Sequence, residues 1–251
     1  MNKLINTILL LLLSFVTVKA APADSLQKAN ELYAANEYAK AIQLYENILG
    51  QGHESAALYF NLGNAYYKEG EIAKAILNYE RAKLLAPNDE DIQFNLELSN
   101  QFVVDKIDPL PHPFFVKWSS NLINLFTTDQ WAKISVAGFI LMLILGLTYL
   151  FSKTNTIRKL SFAFAIILLA VTIITFVFSA KQKSKLTSHN FAVIFSPTVT
   201  VKASPSESGT DLFVVHEGLK VQLVDELNNW LEIKLEDGNS GWVEKNVLER
   251  I

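Results

Sequence analysis

The stretch EYAKAIQLYE, residues 37–46, returns with small changes as EIAKAILNYE at residues 71–80, 34 positions later. A repeat of this length is typical of solenoids, in which one helical pair cannot bury its apolar face alone and stacks on a copy of itself. We therefore expect helical pairs that share a core. A third start, Phe94-Asn95-Leu96, follows Phe60-Asn61-Leu62 at the same spacing and predicts a capping helix.

The second copy resembles the tetratricopeptide repeat, with tyrosine in place of that pattern's tryptophan and phenylalanine. Its matching residues are Tyr59, Leu62, Gly63, Tyr66, Ala75, Tyr79, Ala82 and Pro87. The first copy matches at Ala29, Ala41 and Tyr45. The small residues Ala29, Ala41, Gly63 and Ala75 allow the two helices of a unit to approach closely. The resemblance predicts a tetratricopeptide repeat domain over residues 21–106.

Such repeats resemble peptide-binding scaffolds whose concave surface is formed by the first helix of each unit. Asparagine and tyrosine recur there at equivalent positions, and an asparagine side chain offers both a donor and an acceptor to an extended peptide backbone. The predicted peptide-binding residues are Asn30, Tyr33, Asn61, Asn64, Tyr67 and Asn95. The alternative is that the asparagines are solvated helix positions without a ligand.

Two apolar runs, residues 134–151 and 160–180, contain no charged residue and are long enough to cross a bilayer. We predict transmembrane helices over residues 133–152 and 160–180. The segment between them, residues 153–159, is basic, and the positive-inside rule assigns it to the cytoplasm as a loop. Both flanking arms then lie on the other side of the membrane.

Basic residues after the second run, Lys181, Lys183 and Lys185, favour the opposite orientation by the same rule. The N-terminus decides between the two orientations. It has Lys3, an apolar run over residues 8–18, and small residues before position 21, as in a secretory signal peptide. We predict a signal peptide over residues 1–20, cleaved after Ala20. The alternative is an uncleaved anchor helix, which would send the following segment across the membrane as well.

Residues 107–132 differ in character from both neighbours. Three prolines, Pro109, Pro111 and Pro113, prevent a regular helix at the start. The apolar residues that follow are Phe114, Phe115, Trp118, Leu122, Leu125 and Phe126. This pattern predicts a proline-rich, amphipathic linker at the lipid headgroup level, anchored by Trp118 and followed by Trp131 at the start of the first span. A buried helix of the soluble arm is the competing interpretation.

From Phe191 onward the pattern changes to two-residue alternation between short clusters of Ser, Pro, Gly and Asn, which predicts a small β-barrel over residues 186–251. The residues Asn229-Trp230, Ile233, Asp237-Gly238 and Gly241-Trp242-Val243 resemble bacterial SH3-like domains. Trp230 and Trp242 are the candidate residues of a ligand groove. Packing of these rings within the barrel is the alternative.

Charge is distributed unevenly along the chain. Residues 21–110 carry 14 acidic and 7 basic residues. Residues 111–190 carry one acidic and 8 basic residues, and residues 191–251 carry ten acidic and 5 basic residues. Acidic arms repel nucleic acid, so we expect no nucleic-acid partner and assign the basic middle to the lipid bilayer. The four histidines lack metal-ligand spacing, and no phosphate-binding glycine loop or Gly-x-Ser-x-Gly motif occurs. We therefore expect neither an enzyme nor a cofactor or metal.

The whole order of parts resembles the BatE-type proteins of Bacteroides aerotolerance operons, as do the phrases AILNYERAKLLAPNDEDIQFNLE, VDKIDPLP and SPSESGTDLFVVHEG. The resemblance implies a multi-pass scaffold of the inner membrane with both soluble domains in the periplasm. It also implies that the protein acts together with von Willebrand factor A-type membrane proteins and a MoxR-type ATPase in oxidative-stress tolerance or envelope integrity. A rival hypothesis is a tether whose SH3-like domain binds peptidoglycan.

Overall fold

The structure is a computed structural model that describes residues 23–111, 113–188 and 190–251. The signal peptide expected at residues 1–20 lies outside the described residues. The multidomain fold class expected from the sequence is confirmed: a helical array is followed by two long apolar helices and a small all-β domain.

The array consists of two helical pairs and a fifth, capping helix. Its helices are α1 (Ala23–Ala34), α2 (Tyr38–Gly50), α3 (Ala56–Glu69), α4 (Ile72–Leu85) and α5 (Glu90–Asn100). Side chains fix where α3 and α5 begin, because Ser55 accepts a hydrogen bond from the backbone N–H of Leu58 at 3.1 Å and Asp89 accepts one from Ile92 at 3.1 Å. Gly70 ends α3 with φ of 82°, a left-handed conformation that glycine adopts without strain.

The core of the array lies between its helices, as the repeat pattern predicts. Ala29, Ala41 and Ala75 are fully buried, and Tyr45 and Tyr79 retain only 1% of their surface. Only glycine fits at position 63 without a clash, since a Cβ atom there would stand 2.7 Å from Cε1 of Tyr79. The α3 and α4 helices therefore approach closely because the residue between them has no side chain.

Three helices follow the array, namely α6 (Phe114–Asn124), α7 (Thr128–Phe151) and α8 (Asn155–Thr187). The α7 and α8 helices pack against each other as an antiparallel hairpin, in which the hydroxyl of Ser135 donates to the carbonyl of Thr172 at 3.3 Å. Most other side chains of the hairpin are apolar and exposed. Both helices are long and apolar enough to cross a membrane, which indicates membrane association.

The β-domain is a seven-stranded antiparallel sheet with strand order β3-β2-β6-β5-β4-β1-β7. Its strands are β1 (Phe191–Ile194), β2 (Thr198–Lys202), β3 (Asp211–His216), β4 (Lys220–Leu227), β5 (Trp230–Lys234), β6 (Ser240–Glu244) and β7 (Leu248–Arg250). Alternate residues of β2, β5 and β6 are buried, so one face of each strand forms the core of the domain.

The β-domain packs against the array. Strand β1 has three successive buried residues, Ala192, Val193 and Ile194, so the strand is covered on both faces. One face belongs to the core of the β-domain, and β1 also contacts α4 of the array. At the turn before β4, Gly218 has φ of 86°, and a Cβ there would stand 3.0 Å from Cγ2 of Val103. The two arms thus share one continuous apolar core at the same end of the hairpin.

Polar contacts surround this shared core. The ammonium of Lys220 lies 2.6 Å from a carboxylate oxygen of Glu80 on α4. The neighbouring Arg81 donates to Glu249 at 3.0 Å and to the carbonyl of Arg250 at 2.7 Å. The array and the β-domain are therefore held by two ion pairs and by a hydrogen bond to the backbone as well as by apolar contact.

The segment after α5 adds a further link. One carboxylate oxygen of Asp105 accepts the backbone N–H of His216 at 2.6 Å, and the other lies 2.9 Å from Nδ1 of that residue. The backbone N–H of Leu110 donates to the carbonyl of Glu236 at 3.0 Å. From the sequence His216 is one of four scattered histidines without a predicted role, whereas in the structure it is a contact point between the arms.

Candidate binding surfaces

The asparagines of the first helices form a hydrogen-bond network that repeats once along the array. In the first unit, Oδ1 of Asn30 accepts from the hydroxyl of Tyr45 at 2.7 Å and from Nδ2 of Asn61 at 3.0 Å. In the second unit, Oδ1 of Asn64 accepts from the hydroxyl of Tyr79 at 2.7 Å and from Nδ2 of Asn95 at 2.9 Å. The network links each helical pair to the first helix of the next.

This network determines what the asparagines offer to a ligand. The side-chain oxygens of Asn30 and Asn64 are occupied by internal hydrogen bonds, so each of these residues presents amide N–H groups. Asn61 and Asn95 use their side-chain nitrogens to donate within the array. Each of these two residues therefore presents its side-chain oxygen as an acceptor. The surface therefore combines N–H donors with carbonyl acceptors, the two groups that pair with a peptide backbone.

A hollow of about 260 Å³ lies on this surface of the array. Its lining residues are Tyr33, Asn64, Tyr67, Lys68, Tyr79, Asn95 and Leu98. All of them belong to the array, because the β-domain packs elsewhere, on α4 and on the segment after α5. Within the described residues, neither the β-domain nor the linker lines the hollow.

The two tyrosines that donate to the asparagine network, Tyr45 and Tyr79, are neutral hydroxyl groups. Burial raises the pKa of Tyr45 to about 12, with a smaller contribution from nearby Tyr33. Burial also raises the pKa of Tyr79, and Tyr33 and Tyr67 contribute in the same direction. At neutral pH these hydroxyls therefore keep the proton that they donate to Asn30 and Asn64.

The structure brings four of the six predicted peptide-binding residues together around the hollow, namely Tyr33, Asn64, Tyr67 and Asn95. Asn30 and Asn61 are hydrogen-bonded to each other one repeat earlier in the array. Lys68 and Leu98 also line the hollow, and neither is among the residues predicted from the sequence. A sequence signal for the network existed, because each Asn is followed by its Tyr partner 15 residues later in both units.

The two tryptophans of the β-domain lie on the face opposite its core. In the pairing of β5 with β6, Trp230 stands opposite Glu244, and Trp242 stands opposite Glu232. Because residues directly opposite in an antiparallel pair share a face, both tryptophans lie on the same face of the sheet. Leu231 and other residues of the alternate positions are buried. Both rings are half-buried on the outer surface, where they are accessible to a ligand.

A hollow of about 400 Å³ lies beside one of these rings. Trp230 lines it together with Glu244 and Lys202, and the β2 threonines Thr198 and Thr200 complete one wall. Trp242 shares the face but is not among the residues that line this hollow. A flat apolar ring next to hydroxyl and charged groups is suited to a ligand that has both apolar and polar surfaces.

Comparison with known families identifies two regions of the chain. Residues 56–89 match the family described as tetratricopeptide repeat, and residues 197–249 match the family described as bacterial SH3 domain. No curated protein matches the chain. The array thus contains a tetratricopeptide repeat, and the β-domain is a bacterial SH3-like domain.

Both matched families consist of interaction modules and are typically non-catalytic. Tetratricopeptide repeats indicate protein–protein interaction, and bacterial SH3 domains are consistent with binding to peptidoglycan. In the described parts of the chain, no group of three or more His, Asp or Glu residues could hold a metal ion. The class defined by fold and surfaces is a membrane-associated protein with two interaction modules.

Proposed function

We propose that this protein is a non-enzymatic, membrane-anchored scaffold whose tetratricopeptide array holds a segment of a partner protein. The observation that carries the proposal is the uncovered hollow beside the repeated Asn–Tyr network. Its walls combine tyrosine rings, amide N–H groups and one ammonium, Lys68. These groups suit an extended segment with backbone carbonyls and acidic or aromatic side chains.

The proposed location is the inner membrane, with both soluble domains in the periplasm. The turn between α7 and α8 contains Lys153 and is followed by Arg158 and Lys159, which favours the cytoplasm for this end of the hairpin. The contact between the array and the SH3-like domain supports a common side for both arms, because α7 and α8 return the chain to the side from which it entered.

The proposed setting is an aerotolerance or envelope-stress complex, on the resemblance to BatE-type proteins. Candidate partners from that resemblance are von Willebrand factor A-type membrane proteins and a MoxR-type ATPase complex. A scaffold of this kind needs a rigid platform at the membrane and a surface left open to the partner. The shared core between array and SH3-like domain supports the first requirement, and the hollow supports the second.

A photo-crosslinking residue in place of Lys68 is expected to yield a covalent adduct with a partner protein in intact cells. The same residue in place of Lys28 is the matched control, since Lys28 is exposed on α1 and does not line the hollow. We expect no adduct at position 28. Mass spectrometry of the adduct identifies the partner and the segment that lies in the hollow.

Charge reversal then tests whether that contact contributes to affinity. Lys68→Glu is expected to weaken co-purification of the crosslinked partner by about tenfold, equal to about 1.4 kcal/mol. Lys28→Glu makes the same charge change away from the hollow and should leave co-purification unchanged. Equal adducts at both positions, or equal co-purification by both charge variants, would contradict the assignment of the hollow as the partner site.

The second candidate function is attachment to peptidoglycan through the SH3-like domain. The observation that favours it is the outward position of Trp230 beside the 400 Å³ hollow. The purified full-length chain in detergent should then sediment with cell-wall sacculi, and Trp230→Ala should weaken this by about tenfold, as for an aromatic residue central to a binding surface. Val224→Ala, which truncates another exposed apolar residue of the domain that neither stands opposite Trp230 nor lines the hollow, is the control.

The two functions give different results in these experiments. A chain that sediments with sacculi through Trp230 and forms no adduct at Lys68 is a wall tether. A chain that remains in solution with sacculi and forms the adduct at Lys68 is a protein scaffold. Sedimentation that does not depend on Trp230 would reject the proposed SH3-like groove.

A further inference from the structure

Helix α6 presents an apolar stripe that the rest of the described chain leaves exposed. Phe114 and Trp118 of α6 and Leu125, which directly follows the helix, lie at helical spacing, and 84%, 67% and 57% of their surfaces are exposed. The polar residue Ser120 lies on the other side of the helix, about 160° around the axis from Trp118 at about 100° per residue. Large exposed apolar surfaces of this kind mark contact with a partner or a membrane.

The C-terminal end of α6 is fixed to the membrane hairpin. The indole N–H of Trp131, at the start of α7, donates to the carbonyl of Ile123 at 2.7 Å. The Trp131 ring contacts Phe126 and Phe178 edge-on, with centroids 4.9 and 5.1 Å apart. Trp131 is only 6% exposed, so it anchors α6 to the hairpin and does not itself face lipid.

This attachment places α6 at one boundary of the apolar spans. The hydroxyl of Ser179 donates to the carbonyl of Thr128 at 3.1 Å, so the end of the second apolar run is level with the start of α7. Residues 180–187 of α8 extend roughly 12 Å further, at about 1.5 Å per residue. The exposed lysines Lys181 and Lys183 lie on this extension, just beyond the apolar surface.

We propose that α6 lies in the interfacial layer of the bilayer, with Trp118 and Leu125 inserted among the lipids on the side of the two soluble domains. The occupant of the apolar stripe is lipid, because the stripe adjoins the exposed apolar surface of α7 and α8 at the level where those helices leave the membrane. Exposed lysines at the same level suit lipid phosphates, and tryptophan is enriched in this layer.

The position of α6 has a consequence for the array. The side-chain amide of Asn88, in the turn between α4 and α5, donates to the carbonyl of Asn124 at the end of α6. Lipid contact through Trp118 therefore holds this turn near the membrane surface. The inference concerns membrane contact and holds whether or not the array binds a partner.

Single labels test the proposal, because the chain has no cysteine and each introduced cysteine is unique. The full-length protein is reconstituted in phosphatidylcholine–phosphatidylglycerol vesicles and labelled with a small environment-sensitive fluorophore at Trp118→Cys. Lipids that carry a nitroxide near the headgroup should reduce its emission about twofold, as for an interfacial helix. Ser120→Cys, on the opposite side of α6, is the matched control and should change little.

Leu125→Cys provides a second reporter on the apolar stripe and should behave as Trp118→Cys does. Equal quenching at positions 118 and 120 would overturn the proposal, because the helix would then have no side that preferentially faces lipid. A label at 118 that is shielded from water but insensitive to nitroxide lipids would also overturn it, since protein would then cover the stripe. Circular dichroism of each labelled variant verifies that the chain is folded.

Discussion

Replacing Tyr79 by alanine is expected to lower the free energy of unfolding of the array by about 3–5 kcal/mol, the range for truncating a large buried aromatic residue. The Tyr79 ring is 1% exposed, lies against Gly63, and contacts Phe60 with centroids 6.0 Å apart. Urea unfolding of the full-length chain in detergent, followed by circular dichroism, measures the change. We expect the apolar hairpin to remain helical in detergent, where its backbone groups stay paired, so that the transition reports on the soluble part.

Tyr79→Phe separates the ring from its hydroxyl. This variant retains the packing against Gly63 and removes the hydrogen bond to Asn64, whose oxygen still accepts from Asn95. A cost of about 0.5–1.5 kcal/mol is expected for the lost hydrogen bond. An alanine variant that is as stable as the phenylalanine variant would contradict the assignment of Tyr79 to the shared core.

The same contacts determine how the hollow should be probed. Replacing Asn64 by alanine leaves the buried hydroxyl of Tyr79 without its acceptor, which costs about 1–3 kcal/mol. Asn30 has the same relation to Tyr45. Loss of partner binding in such variants would therefore mix destabilisation of the array with loss of contact. Lys68, which is exposed at the rim, is the better position for a functional test.

Sequence periodicity predicts the parts of this fold that depend on local packing. The 34-residue repeat identifies the helical pairs, the small residues between them and the recurring tyrosines Tyr45 and Tyr79, because each of these occurs in both copies. The capping helix is predicted as well, from the third start at Phe94-Asn95-Leu96, and it spans Glu90–Asn100. Two-residue alternation identifies the β-domain for the same reason.

The roles of individual asparagines are less accessible to sequence analysis. A row of Asn residues on one helix face predicts a polar surface, but it does not distinguish amides that meet a ligand from amides that bond within the array. Asn30 and Asn64 accept two internal hydrogen bonds each. The distinction depends on side chains of other helices, 15 and 31 residues away in the chain.

The contact between the two arms is not encoded in any local pattern. Glu80 and Lys220 are 140 residues apart, with both apolar spans between them. One weak signal exists: the run Phe191-Ala192-Val193-Ile194-Phe195 is apolar throughout, as in strands buried on both faces. The second covering element, α4, could not be identified from that run.

The docked SH3-like domain explains how so short an array forms a core. Two helical pairs and a cap bury little apolar surface by themselves, and terminal repeats of a solenoid normally need a covering element. Here Val103 and Ile76 of the array contact Gly218 of the SH3-like domain, and β1 lies against α4. This contact covers α4 and leaves the Asn–Tyr surface open.

Lys220→Met is expected to lower the stability of this assembly by about 2–4 kcal/mol, because it leaves the carboxylate of Glu80 buried without its partner. The side chain of Glu80 is 9% exposed, whereas that of Lys220 is 32% exposed, which places the cost below that of a fully buried pair. The thermal unfolding midpoint of the full-length chain in detergent measures the change. Lys234→Met, at an exposed position of β5, is the control.

The double variant Glu80→Gln/Lys220→Met is expected to regain most of the lost stability, since it replaces an unpaired buried charge by a neutral amide. This recovery distinguishes loss of the ion pair from loss of the cation–π contact of Lys220, whose ammonium lies 4.9 Å from the centre of the Phe191 ring. If the single and double variants are equally unstable, the contact with Phe191 dominates. If neither differs from Lys234→Met, the array and the SH3-like domain do not depend on this contact.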